Sequence, residues 1–371
     1  MKRICFVTTS PLIVNFFLAP HLLHLRSRFE VSLAVTLPGE APLKDLPGVC
    51  IEPVAIPRKI EPLRDLAALQ ALARLYRERR YDLVHSFAPK AGLLSTWAGS
   101  LAGVRARLHT YTGQVWALRK GPMRALLRAA DRSIARRATH LFADSASQRD
   151  FLAAEGIVAA ERCEVLGAGS VNGVDPGRFK PDAAGRDAVR AELGIAARAP
   201  VALFIGRVTR DKGVLDLAQA FATLPVDAVL LLVGPDEDGL GGEVRRLCGD
   251  RARVVGYTPA PERYLAAADL LCLPSYREGF GSVVIEAAAA GLPAVGSRIY
   301  GVVDAIADGK TGLLFEAGNV GELASRLRQL LADAPLRQHM GAAARARALA
   351  EFSQARLVQL LEQRYREILG E

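Results

Sequence analysis

Short apolar segments alternate with helix-length segments along the whole chain, and this alternation is the strongest constraint on its fold. In the second half the apolar segments are continuous: APVALFIGR (199–207), DAVLLLVG (227–234), ARVVGYT (252–258), ADLLCLPS (268–275) and PAVGS (293–297). Continuous apolar runs are typical of parallel strands that helices cover on both faces. The pattern therefore predicts an α/β domain with a doubly wound parallel sheet.

The first half shows the same alternation. Strands are predicted at RICFVTT (3–9), FEVSLAVT (29–36), YDLVHSF (81–87), ARLHTYT (106–112), HLFADS (140–145) and CEVLGAG (163–169). A turn-rich stretch, NGVDPGRFKP at 172–181, then separates the two halves. A chain of 371 residues is long enough for two domains that each bury a core.

We therefore predict two Rossmann-like domains that face one another across a cleft. The first is expected over 1–178 and the second over 179–352, with the amphipathic segment 353–371 packing back on the first. In open α/β sheets ligands bind beyond the carboxyl ends of the strands, so the functional residues are expected in the loops that follow them.

No segment is long and apolar enough to cross a bilayer. The longest apolar run, LLSTWAGSLAGV at 93–104, falls short of the roughly 20 residues required. The first residues resemble a secretion signal, but Pro11, Asn15, Pro20 and His21 interrupt them, which indicates the first strand and helix of a cytoplasmic protein. The five cysteines are scattered singly, which predicts buried thiols rather than disulfides or a zinc site.

The net charge of +9 is confined to the first half. Residues 1–182 carry 26 Lys and Arg against 16 Asp and Glu, whereas residues 183–371 carry 22 against 23. An excess of this kind favours an anionic partner, such as a phosphate group, a nucleic acid or the acidic face of a membrane.

A cationic loop, GRVTRDKG at 206–213, follows the predicted strand VALFI. Its glycines allow close approach to the backbone, and Arg207 and Lys212 place two cations on a strand-to-helix loop. This combination predicts a pocket for an anion the size of a diphosphate. The loop is neither a Walker sequence nor a G-x-G-x-x-G dinucleotide motif.

A Gly-rich turn with two flanking glutamates lies some seventy residues later, in REGFGSVVIEAAAAGLPAVGS at 277–297. Gly279, Phe280, Gly281 and Ser282 precede a predicted helix, whose first N–H groups can hold a phosphate or a sugar hydroxyl. Glu278 and Glu286 lie on either side of the turn, and their carboxylates can accept hydrogen bonds from hydroxyl groups. Together with the cationic loop, this segment predicts a site for a phosphorylated, hydroxyl-rich ligand.

These motifs resemble those of the retaining glycosyltransferases of family 4, which have the GT-B fold. The resemblance covers essentially the whole chain and includes the GR….KG loop, the E-x7-E segment, NGVD-x-x-x-F-x-P at 172–181 and AAAAGLPAVGS. It implies transfer of a hexosyl or N-acetylhexosaminyl group from a nucleotide sugar, with a UDP-sugar as the expected donor and with no cofactor and no metal.

The resemblance also implies roles for individual residues. The diphosphate would be bound by Gly206, Arg207 and Lys212. The donor sugar and its phosphate would be bound by Glu278 and by the backbone amides from Gly279 to Ser282. The ribose would be bound by Glu286, and the base would lie beside Gly256 and Tyr257. Arg207, Lys212, Glu278 and His109 form the implied catalytic set, since His109 matches a histidine of the first domain that touches the donor sugar.

The acceptor is expected on the first domain, where His85, Lys90, Asn15 and Gly113 are the candidates. His85 and His109 each lie towards the end of a predicted strand, which directs them and Lys90 to the predicted cleft; a structural role for the histidines is the alternative. Segments 56–66 and 85–94 resemble the branch that extends lipid-linked oligosaccharides in bacterial surface glycan synthesis. The loop at 10–20 departs from the family by lacking a Gly-Gly pair.

A stripe of arginines, Arg124, Arg128, Arg132 and Arg136, repeats every four residues on the predicted helix 122–138. Such a face can lie on an anionic bilayer, with a solvated helix face as the alternative. The stripe predicts a cytoplasmic enzyme that associates peripherally with the inner face of the cytoplasmic membrane. Asp236 to Asp238 have the D-x-D form of some metal sites, but no further acidic cluster accompanies them and no metal is expected.

The predicted acceptor is an undecaprenyl-diphosphate-linked saccharide. Three alternatives remain: a transferase acting on a soluble small molecule, a nucleotide-sugar 2-epimerase, and a basic nucleic-acid-binding protein. An epimerase would convert the sugar nucleotide without any acceptor. A nucleic-acid-binding protein is disfavoured because the basic stripe is not interleaved with aromatic residues.

Overall fold

The chain forms two compact units in a computed structural model that describes residues 1–39, 41–224 and 227–371. Unit 1 comprises Met1–Asn172 and Gln354–Glu371, and unit 2 comprises Gly173–Ser353. The chain passes into unit 2 at 172/173, before the predicted boundary at 178/179. The backbone N–H of Val174 already donates to the Phe352 carbonyl oxygen of unit 2 at 2.8 Å, which explains this position.

Unit 1 is built on a seven-stranded parallel sheet in the order β3-β2-β1-β4-β5-β6-β7. Its strands are β1 (Arg3–Val7), β2 (Glu30–Val35), β3 (Cys50–Pro53), β4 (Leu83–Phe87), β5 (Ala106–Tyr111), β6 (His140–Ala143) and β7 (Cys163–Val165). The sheet reverses direction between β1 and β4. This is the Rossmann strand order, in which the reversal opens a crevice at the carboxyl ends of the strands.

The helices of unit 1 include a short π-helical segment, Val14–Leu18, in the first loop. They are α1 (Pro11–Ile13), α2 (Ala19–Leu25), α3 (Pro62–Arg79), α4 (Pro89–Leu101), α5 (Gly121–Arg137) and α6 (Ala146–Ala154), with a 3₁₀ turn at Ala160–Arg162. Helices α3, α4 and α5 pack side by side in that order. Because each follows a strand of a parallel sheet, each begins at the carboxyl edge of the sheet.

Unit 2 has the same strand order with one strand fewer, β10-β9-β8-β11-β12-β13. Its strands are β8 (Val201–Ile205), β9 (Val229–Val233), β10 (Ala252–Val255), β11 (Leu270–Leu273), β12 (Ala294–Ser297) and β13 (Gly312–Phe315). All of their pairings are parallel. The predicted fold class, two doubly wound Rossmann-like domains, is confirmed.

The helices of unit 2 are α7 (Ala183–Glu192), α8 (Val214–Ala222), α9 (Gly241–Cys248), α10 (Pro261–Ala267), α11 (Ser282–Ala289), α12 (Val302–Ala305), α13 (Val320–Ala332) and α14 (Ala334–Glu351), with 3₁₀ turns at Arg210–Lys212 and Gly249–Arg251. The last helix, α15 (Gln354–Leu369), belongs to unit 1 and contacts α2. Its apolar stripe, which includes Leu357, Leu361 and Tyr365, is buried there.

Each unit buries its own core. In unit 2 the strand residues Phe204, Leu230, Leu232 and Val295 pack with helix residues such as Phe221 and are fully buried. Unit 1 has separate apolar clusters on the two faces of its sheet, as expected for a sheet covered on both sides. Four of the five cysteines are buried, but Cys50 is exposed at the sheet edge, which corrects the prediction that all five are buried.

Candidate functional site

The loops after β8 and β11 meet at the point where the strand order of unit 2 reverses. Gly213 makes this meeting possible, since its backbone has a φ of 67° and a Cβ there would lie 2.1 Å from the Pro274 carbonyl oxygen. A backbone hydrogen bond from Tyr276 N to the Asp211 carbonyl oxygen, at 2.9 Å, joins the same two loops. The fold thus brings the cationic loop and the Gly-rich turn together.

Lys212 and Glu278 form an ion pair at the centre of this arrangement. The Nζ of Lys212 lies 2.6 Å from Oε1 of Glu278, and both side chains are largely buried. The Ser275 hydroxyl donates to the same carboxylate oxygen at 2.7 Å. The pair joins residues 66 positions apart in sequence, so the predicted diphosphate cation and the predicted sugar-binding carboxylate lie side by side.

Arg207 lies on the same loop, half-exposed, and is held by Glu237. Its guanidinium lies 2.9 Å from the Glu237 carboxylate. Glu237 follows β9, the neighbour of β8 in the sheet, so its proximity to Arg207 follows from the strand order. This contact was not predicted from the sequence, although the position of VGPDEDG directly after a strand indicates that its acidic residues lie at the carboxyl edge of the sheet.

The other two carboxylates of the D-x-D sequence bind backbone N–H groups. Asp236 accepts hydrogen bonds from Leu240 N at 2.8 Å and Gly241 N at 2.9 Å, and Asp238 accepts one from Arg210 N at 2.8 Å. Across the described residues no group of three or more His, Cys, Asp or Glu side chains is arranged to hold a metal ion. These contacts account for all three acidic side chains.

The Gly-rich turn leads directly into α11. Gly281 has a φ of 82°, and the helix begins at Ser282. The Val284 N–H donates to the Gly281 carbonyl oxygen at 2.8 Å, so the N–H groups of Ser282 and Val283 are the ones in this turn without a partner in the helix. The Phe280 side chain is buried and its ring lies 5.3 Å from that of Phe352. The Phe280 side chain therefore anchors the turn to the core of unit 2, and only the backbone groups of Phe280 can contact a ligand.

Glu286 lies one turn into α11 and is partly buried. Burial raises its pKa to about 7, with Arg178 opposing and Glu262 reinforcing the shift. No side chain or backbone group in the described part of the chain donates a hydrogen bond to the Glu286 carboxylate. Because its oxygens receive no hydrogen bond from these residues, the Glu286 carboxylate can accept hydrogen bonds from a ligand. Gly256 and Tyr257 follow β10, and the Tyr257 ring is 60% exposed.

In unit 1, His109 is buried at β5. Its Nδ1 lies 3.0 Å from the Ser86 hydroxyl, and a Cβ on Gly92 would lie 2.4 Å from its ring. Burial lowers the pKa of His109 to about 3, so its ring is neutral at pH 7. Within the described residues its Nε2 makes no hydrogen bond, which leaves that nitrogen for a ligand.

His85 is not available as an acceptor-side ligand group, which corrects the prediction. Its Nδ1 lies 2.6 Å from the Tyr365 hydroxyl and its Nε2 lies 2.8 Å from the Thr110 hydroxyl, in a buried site between β4 and α15. Burial lowers its pKa well below the ordinary value. Both nitrogens are thus used to join the last helix to the sheet, a structural role.

Lys90 and Asn15 are also used within unit 1. The Nζ of Lys90 lies 2.6 Å from both carboxylate oxygens of Asp65 and 2.9 Å from the Lys59 carbonyl oxygen. The Asn15 amide donates to Pro42 O and accepts from Lys44 N, each at 2.9 Å. These contacts brace loops at the carboxyl edge of the sheet, and the role of both residues in acceptor binding stays a prediction. Gly113 follows β5 with a φ of 110°.

Three of the four arginines of the stripe pack against unit 1 itself, and its role as a membrane face stays a prediction. Arg124 and Arg128 lie 2.8 and 3.0 Å from the Glu155 carboxylate, and their guanidinium groups cover the Trp116 ring. Arg132 donates to the Gly156 carbonyl oxygen at 2.9 Å. Cations at the carboxyl end of α6 are favoured by its exposed carbonyl groups. Only Arg136 among the four is exposed.

Two glycosyltransferase families match the chain, one in each unit. The family described as "Glycosyl transferase 4-like domain" matches residues 20–169. The family described as "Glycosyl transferases group 1" matches residues 185–347. Together they leave out only the two chain ends and the segment that leads into unit 2.

Individual proteins are similar over different lengths. The capsular polysaccharide biosynthesis glycosyltransferase CapM of Staphylococcus aureus is 26% identical over 326 residues, which are 86% of this chain and 85% of that protein. The N-acetyl-alpha-D-glucosaminyl L-malate synthase of Bacillus anthracis is 35% identical over 186 residues, about half of each chain. The structure of HepE from Anabaena in complex with UDP and glucose superposes with a TM-score of 0.83 at 21% identity, covering 99% of this chain and 100% of that one.

Proposed function

The chain belongs to family 4 of the GT-B glycosyltransferases, and we propose that it transfers a sugar from a UDP-sugar to a saccharide hydroxyl. The observation that carries the donor proposal is the cluster of Lys212, Glu278 and the start of α11 at the switch point of unit 2. The UDP complex of HepE supports UDP as the nucleotide.

Glycosyl transfer from a nucleotide sugar requires stabilisation of the leaving diphosphate. As the bond from the anomeric carbon to the phosphate oxygen breaks, negative charge grows on the diphosphate. Arg207 and Lys212 would stabilise this charge, and the N–H groups at the start of α11 would bind a phosphate oxygen or sugar hydroxyl. Glu278 and Glu286 would accept hydrogen bonds from the sugar and ribose hydroxyls. His109, neutral at pH 7, would contact the donor sugar.

The transfer would retain the configuration of the anomeric carbon. In this proposal the leaving phosphate oxygen takes the proton of the acceptor hydroxyl, so no protein nucleophile and no metal ion takes part. Proton NMR of the purified product tests this directly, because the coupling constant of the anomeric proton distinguishes retention from inversion. Trapping of a covalent glycosyl-enzyme would contradict it.

The acceptor we favour is a lipid-linked saccharide of bacterial surface glycan synthesis, such as one carried on undecaprenyl diphosphate. The similarity to a capsular polysaccharide enzyme over most of both chains supports this class. No helix in the described residues is long and apolar enough to cross a membrane. In this proposal the enzyme meets such an acceptor at the membrane surface. A soluble acceptor is the second candidate, favoured by the similarity to an L-malate synthase.

Isothermal titration with UDP, GDP and their sugar conjugates tests the donor site. We expect tight binding of UDP by the wild-type protein, and a loss of roughly ten-fold or more in Arg207→Ala and in Glu286→Ala. Arg246→Ala is the matched control, because Arg246 is an exposed arginine of unit 2 that pairs with Glu243 in α9. Absence of nucleotide binding by folded protein would overturn the donor site.

A transfer assay then separates the acceptor classes. Purified enzyme and UDP-sugar are offered either an undecaprenyl-diphosphate-linked saccharide in detergent or a panel of soluble hydroxy acids and cyclitols. Transfer to the lipid-linked saccharide alone supports the favoured class. Transfer to a soluble acceptor alone would replace it with the second candidate.

A further inference from the structure

Exposed apolar side chains are concentrated on unit 1. Twelve large apolar residues of the described chain are exposed, and Tyr257 is the one that lies in unit 2. Single exposed apolar residues are ordinary on protein surfaces, whereas a concentration of them indicates an interaction surface. Seven of the twelve fall in two segments of unit 1, residues 58–66 and 115–126.

The first segment is the start of α3 and the loop before it. Ile60, Leu63 and Leu66 are all more than half exposed, and Leu63 reaches 85%. Arg58, Lys59 and Arg64 are exposed among them. The segment is held in place by the contact of Lys90 with Asp65 and with the Lys59 carbonyl oxygen.

The second segment is the start of α5 and the loop before it. Val115, Leu118, Met123 and Leu126 are exposed, and the sequence between Leu118 and Met123 contains exposed Arg119 and Lys120. Trp116, by contrast, is buried beneath Arg124 and Arg128. The buried ring and the arginine stripe therefore fix the segment and leave its apolar side chains in solvent.

Both segments lie at the same edge of unit 1. Helices α3 and α5 each begin at the carboxyl ends of the parallel strands, and both pack against α4. This is the edge at which open α/β sheets bind their ligands. An acceptor presented at this edge would arrive beside the ligand-binding ends of the strands.

The charge of the two segments is positive and their acidic groups are already paired. Glu61 lies 2.9 Å from Arg64, and Asp65 contacts Lys90. Lys59, Arg119 and Lys120 pair with no carboxylate in the part of the chain that the structure describes. Apolar side chains interspersed with cations match a bilayer that carries anionic headgroups, where the leucines enter the interface and the cations bind phosphate.

We infer that residues 58–66 and 115–126 form the surface by which unit 1 docks on an anionic lipid bilayer. This surface replaces the arginine stripe in that role. The inference deepens the proposed function and rests on it for its purpose, since a lipid-linked acceptor is presented at a membrane. The lipid contact itself does not depend on the donor or on the chemistry of transfer.

Vesicle co-sedimentation tests the inference. We expect the wild-type protein to bind phosphatidylglycerol-containing vesicles and to bind pure phosphatidylcholine vesicles much more weakly. The triple variant Leu63→Gln, Leu118→Gln, Leu126→Gln should lose roughly a hundred-fold in partitioning. The pair Arg119→Gln, Lys120→Gln should lose roughly thirty-fold, and only with anionic vesicles.

Leu101→Gln is the matched control. Leu101 is 57% exposed, close to the 55% of Leu126, but it lies at the end of α4, at the opposite edge of the sheet. Equal partitioning of the triple variant and the wild type would overturn the inference, and so would an equal loss in Leu101→Gln. A dimer that the triple variant disperses in sedimentation velocity, without vesicle binding by the wild type, would overturn it in favour of a second copy of this chain.

Titration of the same variants with UDP separates this inference from the proposed function. If the wild-type protein binds vesicles but not UDP, the docking surface is supported and the proposed donor site is contradicted. UDP binding with no vesicle binding by the wild type would overturn the surface and leave the donor site standing. An unchanged Tm and circular dichroism spectrum of the triple variant show that unit 1, which carries the three substitutions, is folded.

Discussion

Lys212 is the cation of the candidate donor site that is most confined, because Glu278 lies 2.6 Å away and Ser275 fixes that carboxylate. Removing a preorganised cation from a developing charge costs roughly 10²–10³ in kcat. We therefore expect Lys212→Ala to lower transfer by this factor, measured as kcat at saturating UDP-sugar. Lys310→Ala, at an exposed lysine of unit 2, should leave kcat unchanged; equal losses in the two variants would contradict the role of Lys212.

Glu286 should make nucleotide affinity depend on pH. Burial raises its pKa to about 7, so the carboxylate that would accept ribose hydroxyls is ionised above that pH and protonated below it. We expect the affinity for UDP to fall by roughly ten-fold between pH 8 and pH 6. In Glu286→Gln the side chain at position 286 no longer titrates, whereas the UDP phosphate titrates as before. The affinity of the variant should therefore change less with pH than that of the wild type. Parallel pH profiles of wild type and variant in a titration calorimeter would contradict the proposed contact.

Asp144 should make the stability of unit 1 depend on pH. It is buried with Oδ1 unpaired among the described residues, and burial raises its pKa to about 8 from an ordinary 3.8. The folded protein thus holds a proton between pH 4 and pH 8 that the unfolded chain releases, so its stability falls as the pH rises through this window.

Asp144→Asn removes this proton linkage. We expect the Tm of the variant to vary less between pH 5 and pH 8 than that of the wild type, and to be higher at pH 8, where an ionised carboxylate would be buried. Scanning calorimetry at the two pH values measures the difference. A variant whose Tm falls in parallel with the wild type would show that another group carries the dependence.

At the scale of elements, α5 is fastened to the end of α6 by charge as well as by packing. Arg124 and Arg128 share the Glu155 carboxylate, and all three side chains are partly buried. We expect Glu155→Gln to lower the free energy of unfolding by about 1 kcal/mol, and so to lower the Tm by about 2–4 °C. Glu161→Gln, at an exposed position nearby, should change the Tm by less; the reverse order would contradict the role of the cluster.

The elements also show why some strands were predicted and others were not. Buried strands such as β8 and β9 are continuous apolar runs and were predicted from the sequence. The pattern gave no sign of β3, whose four residues CIEP include a glutamate and a proline at a half-exposed sheet edge. It gave none of β13 either, because GLLF is short and directly follows a turn. Pairing with β2 and β12 makes these segments strands.

At the scale of the whole molecule, neither unit offers a metal site in its described residues. In the proposed mechanism Arg207 and Lys212 of the cationic loop would supply the positive charge that stabilises the leaving diphosphate. We expect transfer activity to be the same, within two-fold, after dialysis against EDTA and after addition of Mg²⁺ or Mn²⁺. A loss of activity with EDTA that Mg²⁺ restores would contradict the metal-free proposal.

The candidate donor site could be predicted because its motifs are local. Arg207 and Lys212 share one loop, and Glu278 shares one segment with the turn and with Glu286. Their partners could not be predicted, since Glu237 and Ser275 reach them only through the order of the strands. In unit 1 the partners of polar residues were harder to predict, because the sequence around a histidine or an arginine does not indicate which distant residue it will contact. His85 meets Tyr365, 280 positions away.

The sequence by itself determined the two doubly wound units, the family and the motifs of the candidate donor site, because these depend on runs of adjacent residues and on loops that follow strands. The tertiary structure alone decided which polar groups are consumed inside the protein and which stay exposed. It buried His85, paired the arginine stripe with the end of α6 and left Leu63, Leu118 and Leu126 in solvent. Availability of a side chain depends on neighbours that only folding brings together.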